Sequence, residues 1–282
     1  MKLRIITFLI LFQLALNATE VADSEQNQKT ARRAASIGVS YFQNPGQYHK
    51  FLEKYNQLIG KPEIQNSEDA IEKALAFYFK HQNGISPACN GTRVDTKITN
   101  KDWIIITDYT KPMDEDRQYI INLKTNKIYT SPAAHGYGSN QPISKCPEKY
   151  RINCDRRGSK CKIPVSFGNK HGKGETSNGF YLTAEGYRSS QGTFRSGDPL
   201  GGGINAIRME GLQSINSNAR ERAVVLHRAS YVNEDTVNKC SSSAGCPSIA
   251  PTIFEQIKSE VIGGALMYNH TIVERELNEP QC

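Results

Sequence analysis

Apolar positions change their period once along the chain. Up to about residue 84 they recur at helical spacing, and from Asp102 onward they come in short strand-type runs. Tyr48, Leu52, Tyr55 and Ile59 share a face and predict a helix across Gln47 to Leu58, entered through a turn at Asn44-Pro45-Gly46. A second helix is capped by Asn66 or Ser67. It carries Glu68 and Asp69 in its first turn, presents Ile71, Leu75 and Tyr78 on one face, and ends at Asn83-Gly84. Both helices are expected to pack on the sheet that follows. Trp103 to Asp108 is an apolar strand-type run. Tyr119 to Leu123 and Lys127 to Ala133 flank Lys124-Thr125-Asn126 as a hairpin, with Asn126 suited to positive φ. The second arm runs out in Ala134-His135-Gly136. Ala223-Val224-Val225-Leu226 is a buried-type run that delivers His227 at its end. Beyond Pro251 a helix is expected through Phe254, Ile257 and Val261, then an apolar stretch to Tyr268.

The N-terminus adds an address. Met1-Lys2-Leu3-Arg4, an apolar run from Ile5 to Leu16 and Asn17-Ala18 read as a secretory signal peptide cleaved after Ala18, too short to span a bilayer. The expected division is 1–18 signal, 19–65 polar helical segment and 66–282 main domain, exported, with no integral membrane segment after cleavage. Losing Lys2 and Arg4 lowers the formal charge from +7 to +5, which suits an acidic polymer or plain solvated surface. No nucleic-acid motif accompanies that charge. Gly168 to Gly174 lacks the residue order of a phosphate-binding loop, and Gly201-Gly202-Gly203 reads as a mobile connection. No Cys-x-x-Cys or His-x-x-x-His spacing supports zinc, so no metal or cofactor is expected. Oligomeric state is not legible.

Seven cysteines in an exported chain imply bridges, and the odd count leaves at least one thiol. Three of them, Cys146, Cys154 and Cys161, fall in the basic stretch Gln141 to Lys162. At least one must pair outside that stretch or stay free, and Cys240 is an attractive partner. The candidate free thiol is Cys246, in Ser243-Ala244-Gly245-Cys246-Pro247. A thiol needs a base to become a nucleophile, and His227 at a strand end is rigidly held. Gly245 permits backbone angles closed to other residues, and the N–H groups about Gly245 and Cys246 are candidates for an oxyanion site. Taken singly, a strand-end histidine is more often a packed residue, and an exported cysteine is more often half of a disulfide.

The stretch Ala223 to Pro251 resembles the L,D-transpeptidase catalytic domain, in which a His is followed by Ser/Thr-x-Gly-Cys, and its murein branch with Pro after the Cys. Asn216 to His227, Tyr231-Val232, Asp108 to Pro112, Asn122 to Lys127, His135-Gly136, Gly179 to Thr183 and Arg208 to Leu212 are similar to that branch. The resemblance runs in ordered blocks from about Ile71 to Pro251. It implies a β-rich α+β fold, mainly antiparallel and sandwich-like, with the N-terminal helices packed on it and Gln141 to Lys162 as an inserted, disulfide-stapled loop. It also implies acyl transfer on peptidoglycan stem peptides in the cell envelope. Cys246 would attack the third-residue carbonyl, and His227 would lower its pKa as an ion pair and protonate the leaving amine. Ser243 would orient the turn, and N–H groups from Ala244 through Gly245 to Cys246 would meet the oxyanion. Expected substrate contacts are His135, which is also the rival base, together with Arg228, Arg208, Tyr181 and Ala244. Arg228 stands where the branch has Gly. Carboxypeptidase or exchange chemistry, an endopeptidase, and a non-catalytic wall-binding protein with oxidised Cys246 remain open.

Overall fold

The structure is a computed structural model and describes residues 37–84, 97–154, 158–190, 203–232 and 242–271. The signal-type segment, Gly201-Gly202, Cys89, Cys240 and Cys282 lie outside them. Helix α1 spans Pro45–Leu58 and α2 spans Glu68–His81. Asn44 caps α1, its side chain accepting the Gln47 N–H, so Pro45 and Gly46 belong to the first turn rather than to a turn before it. Ser67 stands at the cap of α2, yet its hydroxyl is drawn away to the Asp108 carboxylate at 2.7 Å and the Tyr119 hydroxyl at 2.8 Å. A tertiary partner has overridden the local cap, and it ties α2 to the sheet.

That sheet has nine strands in the order β3-β2-β1-β11-β7-β8-β9-β10-β4. The ranges are β1 Asn100–Asp108, β2 Gln118–Asn122, β3 Ile128–Ser131, β4 Ala133–Ala134, β7 Gly179–Tyr187, β8 Ala206–Gly211, β9 Val225–Arg228, β10 Ser248–Ile249 and β11 Ala265–His270. The pairs β1/β11 and β9/β10 are parallel and the other neighbours antiparallel. The run expected from Lys127 to Ala133 is split at Pro132. Its first half pairs with β2 at one end of the sheet and its second half with β10 at the other. Two strands one residue apart in the chain cannot end a flat nine-stranded sheet at opposite edges. The sheet is therefore rolled until its edges meet at Pro132, and the Ser131 hydroxyl accepts the Ala250 N–H beside that seam.

Two cores follow from strand alternation. On β1, Ile104 and Ile106 face one core while Trp103 and Ile105 face the other. The outer core is closed by α1 and α2, with Phe77 stacked on Phe180 at 3.8 Å and Phe180 on Tyr268 at 4.3 Å. The inner core gathers Ile120, Tyr181, Met209, Leu226, Ile249 and Met267 from inside the roll, together with Phe254 and Ile257 of α3, Pro251–Ile257. The apolar stretch ending at Tyr268 becomes β11, a central strand buried on both faces.

The inserted stretch forms a hairpin of β5 Arg151–Asn153 and β6 Ser159–Cys161, closed by the Cys146–Cys161 disulfide. Cys154 is also disulfide-bonded, and since the other two loop cysteines hold each other, its partner lies outside the loop. No helix among the described residues is long and apolar enough to cross a membrane.

Candidate functional site

Strand β9 sorts its side chains by alternation. Val225 and His227 face a cavity of about 390 Å³, while Leu226 enters the inner core. Cys246 lies on the same cavity wall, with Arg222, Ala223, Tyr187, Tyr231, Ser243 and Ala244 around it. Cys246 carries no disulfide and is buried. Its Sγ points back at β9, 3.7 Å from the Ala223 carbonyl.

The turn holding Cys246 is tied on both sides. The Ser243 N–H donates to the His135 carbonyl at 3.0 Å, and the Tyr137 N–H donates to the Ser243 carbonyl at 2.8 Å. The Ser243 hydroxyl donates to the Cys246 carbonyl at 2.6 Å and accepts the Gly245 N–H at 3.1 Å. The expected oxyanion set is corrected accordingly: Ser243 occupies the Gly245 donor. Among the described residues, no acceptor is found for the N–H of Ala244 or Cys246, and both residues line the cavity. Behind the turn, the loop from Gly168 to Ser177 forms a buttress. Arg222 clamps it by donating to the carbonyls of Gly168 at 2.8 Å and Glu175 at 2.5 Å and to the Ser177 hydroxyl at 2.5 Å.

His227 donates through Nδ1 to its neighbour's carbonyl, Arg228 O, at 2.9 Å, which places the proton on Nδ1 and the lone pair on Nε2. Nε2 meets the Ser248 hydroxyl at 2.9 Å. Burial lowers the His227 pKa to about 4, the Arg228 carbonyl opposing the shift. Burial also raises the Cys246 thiol above its ordinary value, against the Val225 backbone N–H and the Arg222 guanidinium, which lower it. Both shifts act against the expected ion pair at rest and favour a thiol beside a neutral imidazole.

Four of the five expected substrate contacts do not line the cavity. His135 is buried with both ring nitrogens engaged, Nδ1 by the Arg117 guanidinium at 3.0 Å and Nε2 by the Asn140 amide oxygen at 2.9 Å. Burial, reinforced by Arg117, lowers its pKa to about 3, so it braces the turn from behind rather than lining the cavity. Arg228, one residue past His227, projects to the opposite face and pairs with Glu255 of α3 at 2.8 Å. It fills space on the α3 side and does not narrow the cavity. Tyr181 lies in the inner core, its hydroxyl donating to the Ser177 carbonyl at 2.8 Å. Arg208 sits one layer back, stacked 4.7 Å over the Tyr187 ring and 3.4 Å from Glu185. Ala244 does line the cavity. Sequence reasoning missed Tyr187, Tyr231 and Ser248. Only Ser248 left a signal, a hydroxyl two residues after the cysteine, and nothing local linked it to His227. No group of three or more His, Cys, Asp or Glu among the described residues is placed to hold a metal ion.

Fold and site together define a class: a rolled, mixed sheet carrying a free thiol and a neutral imidazole on the walls of one cavity. The L,D-transpeptidase catalytic domain family matches residues 85–270, well over half of the chain. The chain belongs to that family. Solved structures similar to it include an L,D-transpeptidase from Mycobacterium smegmatis at 12% identity and TM-score 0.33, covering 60% of this chain and 59% of that one. A Bdellovibrio bacteriovorus protein is similar at 14% identity and TM-score 0.31, covering 59% and 47%. An L,D-transpeptidase from Xylanimonas cellulosilytica is similar at 10% identity and TM-score 0.28, covering 77% of each. The chain thus spans less than two thirds of the first two. Among curated proteins no sequence match is found.

Proposed function

We propose that the chain is a peptidoglycan L,D-transpeptidase with Cys246 as nucleophile and His227 as its base, and with residues 66–282 as the catalytic domain behind a signal segment at 1–18 and a helical segment at 19–65. The observation that carries this reading is that the free thiol and a histidine with one defined lone pair share a cavity within the family-matched region. The thiol proton passes to His227 as Sγ attacks the third-residue carbonyl of a stem peptide. The carbonyl oxygen gains charge opposite the N–H groups of Ala244 and Cys246. The imidazolium, its charge directed toward the Arg228 carbonyl, then gives its proton to the departing D-amino acid. An amine of a second stem takes the acyl group from the thioester, returning a proton to the imidazole and re-forming the thiol. Because the resting pair is neutral, proton transfer accompanies attack instead of preceding it.

Incubation with tetrapeptide-bearing wall fragments and mass analysis of the products tests this reading. The expected product is a dimer joined between third residues, with one D-amino acid released per bond. Cys246→Ala and His227→Ala should each abolish it while the fold persists, since nucleophile and base act as a unit. Turnover by folded Cys246→Ala at the wild-type rate would overturn the assignment.

A further inference from the structure

The cavity side of His227 is occupied by a hydroxyl chain that the reaction above leaves unused. Ser248 of β10 pairs in register with His227 of β9, and its Oγ lies 2.9 Å from Nε2 and 3.1 Å from the Tyr231 hydroxyl. Donor directions along the chain follow from one end. The Arg228 carbonyl can only accept, so Nδ1 holds the ring proton and Nε2 accepts from Ser248 O–H. Ser248 has then spent its proton, and its oxygen accepts from Tyr231 O–H. Tyr231 and His227 both line the cavity with Cys246, whereas Ser248 is fully buried between them and takes up the Nε2 lone pair. The remaining titratable groups on the cavity wall are Cys246, Tyr187 and Arg222.

We propose that Ser248 and Tyr231 form a relay through which His227 exchanges its proton with the cavity. The inference rests on the thiol-transfer reading given above. In the first step, a proton leaving Sγ arrives at the Tyr231 oxygen, the Tyr231 proton moves to Ser248 Oγ, and the Ser248 proton moves to Nε2. The Sγ–H bond breaks and an Nε2–H bond forms, and both hydroxyls end neutral with their donor directions reversed. Tyr231 O–H then points into the cavity, ready to protonate the leaving amine as the chain runs back. Ser248 acts only through His227 and is a positioning residue. Of the two hydroxyls, Tyr231 is the one that meets the cavity.

The test measures transfer kinetics and Cys246 alkylation by iodoacetamide against pH for the wild type and for Ser248→Ala, Ser248→Thr and Tyr231→Phe. Ser248→Ala and Tyr231→Phe should each lower kcat by about tenfold to a hundredfold with little change in KM, and displace the pH profile. Ser248→Thr keeps the hydroxyl and should restore most of the rate. Wild-type kcat and pH profile in both Ser248→Ala and Tyr231→Phe would overturn the relay, as would Ser248→Thr as slow as Ser248→Ala. If Ser248→Ala does not fold, Tyr231→Phe decides alone. If the wild type transfers nothing, the functional reading fails and alkylation still judges the relay: an altered pH dependence in the variants supports it, and an unaltered one overturns it.

Discussion

Gly245, one residue before the thiol, has little freedom to change. Its φ is +114°, and a Cβ there would lie 2.6 Å from the Glu175 carbonyl and 3.2 Å from the Arg222 guanidinium. Backbone strain and a backbone collision coincide, so Gly245→Ala should cost about 1–3 kcal/mol and displace the Ala244 and Cys246 donors. Urea unfolding and transfer activity should fall together, and a variant as stable and active as the parent would contradict the packing of this turn. Across the cavity Ala223 sits at φ +54°, its carbonyl facing Sγ. Relief of strain and extra unfolded-state freedom oppose each other in Ala223→Gly, which should change stability by no more than about 0.5 kcal/mol. Gly245 was legible as a special position from Ser-x-Gly-Cys. Ala223 was not, because nothing in an alanine advertises a left-handed conformation.

At the scale of elements, the β5–β6 hairpin stands apart from the nine-stranded sheet as a two-stranded unit of its own. It has a small cluster of its own in Cys146, Cys161 and Ile163, and the disulfide closes a separation of 15 residues. Lys160 reaches from it to the Ser242 hydroxyl at 3.2 Å, and Ser242 lines the cavity. Replacing Cys146 and Cys161 by Ser should therefore lower unfolding free energy by about 2–4 kcal/mol in denaturant titrations. It should also alter the choice between two amine acceptors more than the rate of Cys246 alkylation. Equal loss in both assays would make the hairpin a clamp only. Its basic, cysteine-rich character was readable along the chain. The Cys146–Cys161 pairing was not, since three cysteines allow several connections and only spatial proximity selects among them.

At the scale of the molecule, the β9-β10-β4 end of the sheet brings two buried histidines close to the thiol-bearing turn. His135 follows β4, and His227 lies within β9 next to β10, which pairs with β4. Both are held neutral, with pKa lowered to about 3 and about 4 from an ordinary 6.5. An unfolded chain binds these protons first, so their contribution to stability is complete above 6.5 and is lost as pH falls toward the folded values. Unfolding midpoints in urea should drop from pH 6.5 to about 5, above the main carboxylate range. His135→Gln should flatten that slope. A midpoint independent of pH across this window would mean the rings are solvated.

Periodicity and turn chemistry alone determined both N-terminal helices, the β1 run, the β2–β3 hairpin and the strand delivering His227. Each is set by side-chain spacing within a dozen residues, and the same local reading marked Ser243-Ala244-Gly245-Cys246 as a turn built around a thiol. Only the tertiary structure decided that Pro132 divides one apolar run between opposite edges of a closed sheet. It alone sent the Ser67 hydroxyl to Asp108 and turned Arg228 to Glu255 while His227 faces the cavity. It also set Ser248 against Nε2 through the β9/β10 register. In each case the partner lies far along the chain, and the choice between solvent, substrate and protein is made by packing, which local spacing does not encode.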